Sequence, residues 1–87
     1  MVHMMYSVLD TKAGIYNTPF SAVSRGAALR VFSDVANDPK TSVAKHPEDY
    51  NLFEIGSYDD ALGVMIPAQL VALGNASSFI VREPVLK

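Results

Sequence analysis

Apolar residues alternate with a period of two at the start of the chain. Met4, Tyr6 and Val8 fall on one face of an extended Met4–Asp10, and Met5, Ser7 and Leu9 fall on the other. Both faces are fairly apolar, which predicts a central rather than an edge strand. The period changes to 3.6 over Ser24–Ala36, where Ala28, Val31, Phe32 and Val35 recur at helical spacing. Ser24 or Ser21 can cap that helix, Asn37 can take a left-handed conformation at its end, and Pro39 forbids continuation. Arg25, Arg30 and Asp34 lie off the apolar stripe. Gly26 weakens the first turn by roughly 1 kcal/mol relative to Ala.

Between these elements, residues 11–21 read as an irregular connector with a short extended piece at Gly14–Tyr16. Residues 38–48, punctuated by Pro39 and Pro47, read as a loop. Alternation returns over Asn51–Tyr58, with Phe53 and Ile55 on one face and Tyr50, Leu52, Glu54 and Tyr58 on the other. Residues 59–63 form an acidic turn in which Gly63 supplies a positive φ, so Val64–Ile66 returns as the antiparallel partner. Pro67 interrupts the pairing. Leu70–Leu73 is a fourth strand or one short helical turn, and Phe79–Val81 is a short strand or an extended segment. The fold class that follows is α+β: one helix on a small, mostly antiparallel sheet, β-α-β-β plus one or two weak C-terminal strands. Residues 1–87 form one domain, with 1–3 and 82–87 as loose ends. If the first two long strands are parallel neighbours, their crossover is right-handed.

Composition narrows the function classes. A chain of 87 residues builds a marginal core, and its 49% hydrophobic content leaves apolar surface for a partner, so a homo-oligomer is expected. No cysteine is present, which excludes disulfides and thiolate metal sites. No apolar run reaches the length of a membrane span, and the first residues lack the pattern of a signal peptide. Seven Lys and Arg against nine Asp and Glu disfavour a strong general nucleic-acid binder.

No catalytic grammar emerges. His3 and His46 are far apart, and Asp59-Asp60 lacks the alternating ligands and distal Glu of a calcium loop. Gly56 and Gly63 belong to no phosphate loop, and the serines stand in no nucleophile context. Neither a metal nor a cofactor is expected, and the chain does not read as an enzyme. One constellation could bind. Lys12, Tyr16, Phe20, Arg25 and Arg30 crowd one connector and the helix start after it. Cations there would hold phosphates while aromatics stack unpaired bases. Taken singly, each aromatic is better explained as core or half-buried rim.

Several short words in order carry a resemblance. They are Asp10-Thr-Lys12-Ala13, then Tyr16 and Pro19-Phe20, then Phe32-Ser-Asp-Val-Ala-Asn37-Asp38, and then Pro47-Glu-Asp-Tyr50, Leu52-Phe53, Ile55-Gly56 and Tyr58-Asp-Asp60. Over residues 4 to about 66 the chain resembles the small nonstructural protein of gokushoviruses, single-stranded DNA microviruses of bacteria. The resemblance implies a viral accessory protein in the host bacterial cytoplasm, linked to single-stranded genome synthesis and packaging. It implies binding of single-stranded DNA, which the crowding of cations and aromatics would put at Lys12, Tyr16, Phe20, Arg25 and Arg30, weakly and by an oligomer. The alternative is a protein–protein adaptor that acts on viral or host replication proteins without touching DNA. Neither reading involves a membrane.

Overall fold

A computed structural model describes residues 1–81; the expected loose tail at 82–87 lies outside the described residues. Strands β1 (Val2–Asp10), β2 (Ile15–Tyr16) and β3 (Phe20–Ala22) precede helix α1 (Arg25–Ala36) and a short helix α2 (Ser42–Lys45). A 3-10 turn at Pro47–Asp49 leads into β4 (Tyr50–Asp59), β5 (Val64–Asn75) and a last 3-10 turn, Ala76–Phe79. All strands pair antiparallel in one sheet of order β2-β1-β4-β5, with β3 also on β1. The α+β class, one main helix on a small antiparallel sheet, is therefore as the sequence predicts.

The details differ in informative ways. Val2 and His3 are not a loose start: they pair with Asp59 and Tyr58. The connector supplies two short edge strands rather than one extended piece. β1 and β4 are antiparallel neighbours, so the handedness rule for parallel crossovers does not arise. Pro67 does not end a strand. β5 runs through it as one 12-residue element, because β5 is an edge strand and register shifts beside Gly56 absorb the irregularity.

The core lies between α1 and one face of the sheet. Tyr6, Ala28, Phe32, Ala36, Val43, Leu52 and Ala76 are buried, with Phe20, Val35 and Phe79 packed against them. The Phe32 ring meets the Phe79 ring edge-on at 5.9 Å. Ser24 caps α1 as expected, accepting from the Ala27 N–H at 3.1 Å. The helix is rolled from the predicted stripe: Ala36 is buried, whereas Val31 is 46% exposed. The stripe therefore runs Ala28–Phe32–Ala36, at i, i+4, i+8. Asn37 is not left-handed (φ −101°). Its side-chain amide donates to the Ser33 and Phe79 carbonyls, and its Oδ1 accepts from the Val81 N–H. That side chain ties the helix end to the last described segment.

Candidate functional site

Among the described residues no helix covers the second face of the sheet. Alternation along β1 sends Met5, Ser7 and Leu9 there, away from the Tyr6 core. Leu9 pairs with Tyr16 and Ser7 with Phe53, so both aromatics project on the same side. Their rings meet edge-on at 5.7 Å. Ile55 is a bulge residue. Met5 pairs with Gly56 and Tyr6 with Glu54, leaving Ile55 between them. The extra residue reverses the alternation beyond it. Tyr58 therefore pairs with His3 on the open face, not with Leu52 and Glu54 as a strict period of two predicts.

A shallow pocket of about 380 Å³ sits on this face, lined by Ser7, Tyr16, Asn17, Pro19, Ile55 and Leu70. Ser7 is buried at its floor, and its hydroxyl donates to the Asn17 carbonyl at 2.7 Å. Tyr16 and Leu70 are 41% and 49% exposed at its rim. The face carries no Lys, Arg, Asp or Glu on the described positions of β1, β4 and β5 that project there. Around the pocket it is apolar, aromatic and neutral, and the His3–Asp60 contact lies at its far end. The chemistry around the pocket suits an apolar partner.

The five residues expected to form one nucleic-acid site are distributed over the molecule. Phe20 pairs with Tyr6, so it faces the core, where the two rings stand 5.9 Å apart. Tyr16 faces the opposite side. Lys12 lies in the turn between β1 and β2, an Asx turn in which Asp10 accepts from the Lys12 and Ala13 N–H groups. Arg30 is exposed on α1. Arg25 is engaged: its guanidinium donates two hydrogen bonds to the Glu54 carboxylate, at 2.8 and 3.0 Å. Only Lys12 and Tyr16, at the two sides of the β1–β2 turn, remain close along the chain. The cations Arg25, Arg30, Lys40 and Lys45 belong to the helical layer and the segments around it.

The Arg25–Glu54 pair fixes the start of α1 over β4. Arg25's hydrogen bond holds the Glu54 carboxyl below the ordinary carboxylate range. Burial pushes the nearby Tyr6 phenol up, and the Glu54 charge adds to that. The Tyr6 hydroxyl has no partner with full hydrogen-bond geometry among the described residues. At the far end of the sheet, Asp60 accepts from the Met1 ammonium at 2.7 Å and lies 2.8 Å from His3 Nε2. Both contacts lower its pKa, the ammonium more. Among the described residues no group of three His, Cys, Asp or Glu side chains could hold a metal ion, and no helix is long and apolar enough to cross a membrane.

Sequence reasoning missed Phe53, Ile55 and Leu70 as site residues. One signal was available: no charged residue occurs between Asp60 and Arg82, a span that includes all of β5.

Comparison with known proteins gives a consistent picture. Residues 3–79 match the family described as Phage ORF5 protein. Protein ORF5 of Chlamydia phage 1, a gokushovirus of the Microviridae, is 35% identical over 85 residues, covering 90% of this chain and 88% of its own. No solved structure matches.

Proposed function

Because the chain belongs to the Phage ORF5 protein family, we propose that it is a nonstructural accessory protein of a single-stranded DNA phage. In this reading it acts in the host cytoplasm during genome synthesis or packaging, by docking to a replication or packaging protein through the open sheet face. The observation that carries the reading is the character of that face: an aromatic pair, Tyr16 and Phe53, beside an apolar pocket with no charged side chain around it. Desolvating such a surface is favourable at roughly 25 cal/mol per Å² of apolar area, and no buried charge opposes it. Catalysis plays no part in the proposal.

Weak binding of single-stranded DNA is the second reading, and one observation favours it. A sheet face with an exposed tyrosine beside a cation-bearing turn, Tyr16 with Lys12, is the minimum of a stacking platform. With Arg25 engaged by Glu54 and Arg30 in the helical layer, one cation, Lys12, remains beside Tyr16 of the expected three. One neutralised phosphate gives a very shallow slope of log affinity against log salt, about −0.7.

One pair of measurements separates the readings. Purified replication and packaging proteins of the phage are titrated against the parent, Tyr16→Glu and Lys12→Glu. A labelled oligonucleotide is titrated against the same three at 50 mM and at moderate salt. Docking through the open face predicts that Tyr16→Glu weakens protein binding at least tenfold, that Lys12→Glu leaves it unchanged, and that the oligonucleotide does not bind. Oligonucleotide binding weakened by both variants would replace docking with the DNA reading. Protein binding unaffected by Tyr16→Glu would remove the open face from the proposal.

A further inference from the structure

The two edges of the sheet are built differently. On one side β2 and β3 have two and three residues, too short to template another strand. On the other side β5 runs for 12 residues, and among the described residues no strand pairs with its outer backbone. Natural edge strands are guarded by lysines, inward charges, brevity, prolines or bulges. β5 is 12 residues long and uncharged, and its guards are Pro67 and two register irregularities against β4. Every residue from Val64 to Leu70 is exposed, including Val64, Met65, Ile66 and Leu70 at 45–51%. Pro67 withdraws one donor, but the segments on either side of it keep theirs.

We infer that β5 pairs antiparallel with β5 of a second copy, joining the two sheets edge to edge across a two-fold axis. The occupant is a second copy for a reason of charge. In an isologous contact the same segment meets itself in reverse, residue i against j and j against i, so an edge with charge of one sign repels itself and a neutral one does not. Of the three strands longer than three residues among the described residues, β1 ends on Asp10 and β4 carries Glu54 and Asp59, whereas β5 is neutral over its whole length. Antiparallel pairing also gives the outward N–H and C=O groups of β5 partners in place of water. Side chains such as Ile66 of one copy come beside apolar side chains of the other. The contact shares Leu70 with the rim of the open-face pocket but runs along the backbone edge, and it does not depend on the docking reading.

Two charge variants test it. Sedimentation of the parent from low to high micromolar concentration should show monomer passing to dimer. Ile66→Lys and Ile66→Glu, each alone, should weaken the dimer at least tenfold, because two like charges then enter one apolar interface. Mixed in equal amounts they should restore it, because the two charges in the interface are then opposite. The mixture controls for misfolding, and Asp34→Lys on the outer side of α1 should dimerise as the parent does. Amide exchange across Val64–Leu70 should slow as concentration rises. A parent that stays monomeric throughout overturns the inference. So does an Ile66→Lys variant that dimerises like the parent, since the contact would then lie elsewhere.

Discussion

Three Gly→Ala substitutions should produce three different results, and the structure sets their order. At Gly56 a methyl group would lie 2.3 Å from the Ile66 carbonyl oxygen, 3.2 Å from Pro67 Cα and 3.3 Å from Ala68 N. An ordinary carbon–oxygen approach is about 3.3 Å, so β4 and β5 would have to part by about 1 Å. The obstructing atoms are backbone and cannot rotate aside. Opening the pair there forfeits about two ladder hydrogen bonds, each worth about 0.5–1.5 kcal/mol net, and overpacking alone costs about 1–3 kcal/mol. A loss of about 3 kcal/mol follows. At Gly63 a methyl group meets nothing within 4 Å, but φ is +66°. The left-handed backbone alone then costs about 1–2 kcal/mol. At Gly26, on α1, the methyl group would meet only the Ser24 hydroxyl, at 3.7 Å. Replacement there should stabilise by about 0.4–1 kcal/mol through the unfolded chain. Urea unfolding followed by far-UV circular dichroism measures all three. With a slope near 1–1.5 kcal/mol/M, the Gly56→Ala midpoint should fall by roughly 2–3 M. A Gly56→Ala variant no weaker than Gly63→Ala would refute the close approach of β4 and β5 at that position.

Two further stability predictions use the core and the ion pair. Phe32 is 1% exposed against Phe79, so Phe32→Ala should cost about 3–5 kcal/mol by thermal or urea unfolding; a loss under about 1 kcal/mol would place it outside the core. The Glu54 carboxyl is held low by Arg25, so its contribution to stability is complete above the unfolded carboxyl pKa of roughly 4.3 and disappears as pH falls through the lower folded value. The advantage of the parent over Glu54→Gln should therefore shrink as pH falls below roughly 4.3, and a gap constant with pH would show that the pair does not stabilise the fold.

The sequence alone determined what depends on local geometry. The helix over 25–36 follows from a 3.6-residue period closed by a serine cap and a proline stop, all within a few turns of chain. The hairpin at 59–63 follows from an acidic turn with glycine where φ must be positive. The phage family was legible because short words persist in order, whatever the packing between them.

Tertiary structure decided what depends on partners distant in sequence. Val31 and Ala36 exchange places because the roll of α1 is set by the sheet surface it meets, and periodicity fixes only that a stripe exists. Tyr58 changes face because one unpaired residue, Ile55, shifts the parity of β4 against β1. The expected binding constellation comes apart for the same reason. Tyr16 and Phe20 are four residues apart, yet Tyr16 pairs with Leu9 and Phe20 with Tyr6, so pairing to one strand sends them to opposite faces. Arg25 is claimed by Glu54, 29 residues away. A connector can crowd cations and aromatics in sequence, but only the register of the strands it joins determines whether they share a surface.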